Sequence, residues 1–264
     1  MAKQTIQPVM SDRLRQFSNL VTAPLMWVLS TLSFFDPNAR SPEGLSKINE
    51  SQLVPLGVAF SIWFPIFVGC IAYGILQASG ANRTRNIFRQ IGPWTAAGFS
   101  LICIWSLISA YAPANLAQFG TALVFIPAML CLVKAMLVLS HRSEELDRIE
   151  KLCIFIPLSL IAGWTSLAVF LNWTPIAMNF MGTSVPDIIP NITMLVLALL
   201  WASVIVRKSG GNRAYAFPII WGLSFLAIKQ LGTTQDYPII GALALVGALW
   251  ILGLTVYKPK TPIR

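Results

Sequence analysis

The chain has 264 residues, of which 56% are hydrophobic and only 11% charged, and it carries a net charge of +9. Soluble domains carry roughly 25% charged residues, so the composition excludes a soluble protein and points to an integral membrane protein. The excess of cations is not a nucleic-acid patch, because it is parcelled out between apolar stretches.

Eight such stretches follow one another, at about 17–35, 54–77, 92–111, 117–140, 152–172, 188–206, 214–231 and 238–257. Each is near the ~20 residues that cross a ~30 Å hydrocarbon core at 1.5 Å per residue. The gaps alternate in charge. One set holds Lys3, Arg13 and Arg15; Arg83, Arg85 and Arg89; Arg142, Arg148 and Lys151; Arg207, Lys208 and Arg213; and Lys258, Lys260 and Arg264. The other set holds only Arg40 and Lys47. Basic residues mark the cytoplasmic side, so eight spans with both termini in the cytoplasm are expected. Reporter fusions after residues 45 and 235 should therefore both read as external, and a cytoplasmic signal at either position would break the topology.

The first span follows Arg13 and Arg15 and ends in "SFFDPNAR", without a small-residue cleavage pattern, so a retained signal-anchor is expected. Span two contains "AFSIWFPIF", where Pro65 inside the apolar run should free the carbonyl of Ser61 near Trp63. No aspartate or glutamate lies in the body of any span, which argues against ion-coupled carriage and against hydrolysis by paired acids. Lys134 and Lys229 do fall within spans, both within snorkelling reach of a membrane surface. A retinal Schiff base on Lys229 would need a carboxylate counter-ion that the spans lack. Cys70, Cys103, Cys131 and Cys153 lie singly in spans and read as packing residues, and His141 sits in a charged loop. No metal or cofactor is expected.

Tryptophan is what remains, with nine in the chain. Trp94 and Trp173 suit an interfacial belt, whereas Trp63, Trp105, Trp164 and Trp250 lie deeper. They either fill gaps between kinked helices or line a cavity for a flat, apolar ligand. Span five favours a shared face. Pro157, Ile161, Trp164, Ala168 and Asn172 follow steps of three and four residues, and Gly163 lets a neighbouring helix come close.

Three segments resemble the TspO/MBR family of tryptophan-rich sensory proteins: "AFSIWFPIF" in span two, "LICIWSLISAY" in span three and "GWTSLAVFLN" in span five. With "NRAYAFPIIWGLSFLAIKQ" in span seven, the whole chain is similar to the larger bacterial members, which carry extra spans. The resemblance implies an all-α fold with a five-helix bundle over residues 1–173 and three further transmembrane helices over 174–264, without a soluble domain. It also implies a bacterial inner-membrane location and a pocket for porphyrins, sterols or similar molecules. Matched residue by residue, Trp63, Trp105, Trp164 and Asn172 become the ligand-binding candidates. Ile102, Ile161 and Phe67 stand where the family carries asparagine, an aromatic and tyrosine, which implies a less polar pocket. A sterol-type pattern, Leu254 to Tyr257 to Lys260, closes the chain.

The expected function is that of a non-enzymatic, membrane-embedded binding or sensory protein with the lipid bilayer and a small hydrophobic ligand as partners. A transporter of a small neutral solute is the alternative, and an integral-membrane enzyme the third reading.

Overall fold

A computed structural model describes residues 9–41, 44–45, 51–180, 188–234 and 236–256. Tyr257, Lys260 and the other terminal cations lie outside these residues, as does Lys47. Eight long helices and no strand occur among the described residues. They are α1 Met10–Ser30, α2 Trp63–Ala78 and α3 Asn86–Tyr111, then α4 Ala114–His141 and α5 Arg148–Phe180, which has a π-turn at Lys151–Phe155. They continue as α6 Ile189–Lys208, α7 Arg213–Ile228 with a π-turn at Lys229–Thr233, and α8 Pro238–Val256.

Seven of the eight, α2 to α8, are long and apolar enough to cross a membrane once the Gly57–Ile62 turn is counted with α2 and the Lys229–Thr233 turn with α7. The exception is α1, which was expected as an ordinary hydrophobic span. Its first turns carry Asp12, Arg15, Gln16 and Asn19, all buried rather than solvated. It nevertheless runs the depth of the bundle beside α3. Asn19 Nδ2 donates to Gly92 O (2.9 Å) near one end of α3, and Ser30 Oγ meets Ser106 Oγ (3.0 Å) near the other. Polar side chains are tolerated there because the protein itself pairs them. Arg15 donates to Gln77 Oε1 (3.1 Å) and Arg83 O (2.8 Å), while Arg89 holds the Asp12 carboxylate through Nε (2.9 Å) and Nη2 (2.6 Å). The Arg15 chain lies flat over Gly92, where an added Cβ would fall 2.3 Å from Arg15 Cδ. Arg15, Arg83 and Arg89, counted from sequence as gap cations, thus belong to a polar clasp joining α1, α2 and α3.

The first five helices close a ring in the order α1, α2, α5, α4, α3. Outside it, α6 and α7 pack on α5, and α8 packs on α7 and α6. The α5–α7 contact is tight because both sides offer glycine. A Cβ on Gly163 would meet Tyr215 O at 2.1 Å, and one on Gly222 would meet Leu167 Cδ2 at 2.4 Å. The close neighbour expected beside Gly163 is therefore α7. At the opposite end of the bundle from the α1 clasp, Arg40 Nε donates to Ser109 O (3.2 Å) and Tyr111 donates to Asp36 (2.8 Å). These bonds pin the chain leaving α1 to the end of α3.

Candidate ligand cavity

The segment "AFSIWFPIF" does not form the middle of a helix. Residues Gly57–Ile62 make a 3-10 turn and α2 proper begins at Trp63. Pro65 therefore sits in the first turn of α2, where its missing N–H is no loss. The carbonyl that takes a side-chain partner is Ala59 O, which accepts from Trp221 Nε1 of α7 (2.9 Å), while Ser61 O accepts from the backbone N–H of Trp63. This junction turns the Trp63 ring inward. It stacks on Phe67 (5.1 Å), lies 6.2 Å from Trp105 and meets Trp164 edge-on at 6.2 Å. Trp105 packs on Phe125 of α4 (5.0 Å), and Trp164 packs edge-on against Phe60 (6.0 Å).

These rings wall a cavity inside the five-helix ring. Trp63, Trp105, Trp164 and Asn172, the four residues singled out from sequence, all line it, together with Phe60, Phe125 and Val54 among others. Ala168 lines it too, one turn beyond Trp164 on the same face of α5. The other half of that face does something else: Ile161 is fully buried in packing, and Pro157 abuts Gly69 of α2. No residue of α1 contributes a wall, whereas Phe125 supplies one from α4. The cavity is small, with about 50 Å³ open to water-sized molecules. That is room for roughly three or four waters, so a larger guest must part the rings.

The polar inventory of the wall is short. Among the described residues no ionisable side chain lines the cavity and no cluster could hold a metal ion. Asn172 Nδ2 donates to Ala168 O (2.9 Å) within its own helix, the usual refuge of an amide in an apolar span. The indole N–H groups sort themselves by location. Trp173, Trp201, Trp221 and Trp250 donate to Ala122 O (3.1 Å), Ser166 Oγ (3.1 Å), Ala59 O (2.9 Å) and Ser203 Oγ (2.9 Å). Trp105 is 6% exposed, and its Nε1 has no partner among the described residues.

Sequence reading missed the outer cover of this cavity. Residues 51–56 tuck into the bundle, with Gln52 and Leu53 buried and Val54 on the cavity wall. Helices outside the ring hold them. Lys229 Nζ donates to Val54 O (2.8 Å), Gln230 Nε2 donates to Gln52 O (2.8 Å), and Ser51 Oγ donates to Asn191 Oδ1 of α6 (3.2 Å). Lys229 is thus tied to backbone rather than simply snorkelling, while Lys134 is exposed on α4. The only available signal was a lysine and a glutamine side by side at the end of an apolar span.

An all-helical integral membrane protein with an aromatic cavity inside a five-helix ring is what the fold and the site together define. A family model described as TSPO-like protein matches residues 16–257, and the chain belongs to that family. Searches among curated proteins and among solved structures give no match.

Proposed function

We propose that this protein binds a flat, apolar ligand with a hydrogen-bond acceptor on one edge, held in the aromatic cavity, and that it works as a binding or sensory protein rather than an enzyme. The observation that carries this reading is the unpartnered N–H of Trp105. A buried indole N–H usually finds an acceptor, and even the partly buried Trp173, Trp201 and Trp221 do so here. A buried donor left alone costs about 1–3 kcal/mol. A ligand acceptor, or a trapped water that the ligand displaces, removes that cost. The apolar lining, which carries no ionisable side chain among the described residues, favours a guest whose buried part is neutral. Porphyrin- and sterol-like molecules, which TspO relatives suggest, satisfy this only if the cavity widens. Asn172, Trp63 and Trp164 complete the proposed site. In this reading residues 1–173 form the binding unit and 174–264 the supporting one, with both termini cytoplasmic in a bacterial inner membrane.

Trp105→Phe tests the reading, because it deletes the N–H and keeps most of the ring. The melting temperature should hold or rise, since a buried unsatisfied donor is gone. Affinity for a porphyrin or a sterol, read from tryptophan quenching, should fall up to about tenfold, the worth of one hydrogen bond. A wild-type protein that shows no saturable quenching with either probe, together with a Trp105→Phe variant that melts early, would mean that the rings are packing alone.

A further inference from the structure

A second concavity lies outside the ring, between α6 and α8. It is a groove of about 430 Å³ with apolar walls that include Val196, Leu200, Val204, Val246 and Trp250. Val196, Leu200, Val204, Val246 and Trp250 are 41–62% exposed. The polar atoms in it are already used by the protein: Trp250 Nε1 donates to Ser203 Oγ (2.9 Å), and Ser203 Oγ donates to Leu199 O (2.6 Å). One polar group is left. Arg207, in the last turn of α6, lines one end of the groove, is exposed, and forms no ion pair or hydrogen bond among the described residues.

The dimensions suit a lipid chain. From Val196 to Arg207 the groove follows α6 for roughly 16 Å at 1.5 Å per residue, about half of a ~30 Å hydrocarbon core. It therefore spans one leaflet, from mid-membrane to the basic end of the bundle, and ends at a cation of the right depth for a headgroup. An apolar trough one leaflet deep, closed by a guanidinium with no partner among the described residues, complements the acyl chain and charged headgroup of an anionic phospholipid.

We infer that the α6–α8 groove is a binding site for an anionic glycerophospholipid of the leaflet at the basic end, with one acyl chain in the groove and its phosphate on Arg207. This site is separate from the aromatic cavity and does not depend on what the cavity binds.

The test is native mass spectrometry of the full chain in detergent, titrated with phosphatidylglycerol and phosphatidylcholine of identical acyl chains. Phosphatidylglycerol should bind roughly fivefold more tightly, the worth of one basic side chain near an anionic surface. Arg207→Gln should abolish that preference. Arg213→Gln, which removes an exposed cation at the same end that does not line the groove, should preserve it. Val204→Trp, which fills the trough, should weaken both lipids. Arg207 is exposed and has no partner among the described residues, so its loss should not disturb folding. Equal binding of the two lipids, equal loss with Arg207→Gln and Arg213→Gln, full binding to Val204→Trp, or a lipid-free dimer would each overturn the assignment.

Discussion

A Lys229→Ala, Gln230→Ala double variant should open the cavity to reagents from its outer side. The two side chains donate to Val54 O and Gln52 O, the backbone of the segment that covers the rings. A hydrogen bond from a charged donor is worth about 1.5–3 kcal/mol and a neutral one about 0.5–1.5. Losing both should raise the population of the uncovered state by ~2 kcal/mol, roughly thirtyfold. The readout is the rate at which a methanethiosulfonate reagent modifies Ala168→Cys, with Cys70, Cys103, Cys131 and Cys153 replaced. Ala168 lines the cavity without packing in the cover. Trp221→Phe, which removes the bond to Ala59 O, should give a smaller increase. An unchanged rate in the double variant would show that burial of Leu53 holds the segment without α7. The expected result makes α7 a latch, joining helices outside the ring to a cavity inside it.

Gly163→Leu should be the most damaging single substitution in the contact between α5 and α7. Even the Cβ alone would sit 2.1 Å from Tyr215 O and 2.6 Å from Pro218 Cγ. The first of these is backbone and Pro218 is rigid, so neither can swing aside. Overpacking of a good core costs about 1–3 kcal/mol and sometimes more. Leucine should exceed that range, and Gly163→Ala should fall within it. Melting in detergent is the measurement. Because Trp164 lies beside the contact, near Gly222, displaced α7 should also move the Trp164 ring and lower quenching by a bound porphyrin. A Gly163→Leu protein with wild-type melting would mean that α5 and α7 do not pack in this register.

The amino-acid sequence by itself determined the class of the protein, because lipid allows few charges and demands that each span satisfy its own backbone. Seven helices followed from apolar length alone, and the alternation of cations set the expected orientation. The spacing of Trp164, Ala168 and Asn172 put them on one helical face, and they do share one wall. Pattern could not go further, since the same spacing put Pro157 and Ile161 on that face and the structure uses those two for packing. It also misjudged α1. Arg15 counts in sequence as one cation of a loop, whereas in the structure Gln77, Arg83 and Arg89 pair Asp12, Arg15 and Gln16 from distant parts of the chain, and Gly92 O accepts from Asn19. The cover of the cavity and the latch that holds it join residues far apart in the chain, such as Val54 and Lys229. No local periodicity encodes such a pair. Likewise nine tryptophans look alike in sequence, and only the assembled bundle decides which indole N–H finds an acceptor and which, at Trp105 on the cavity wall, has none among the described residues.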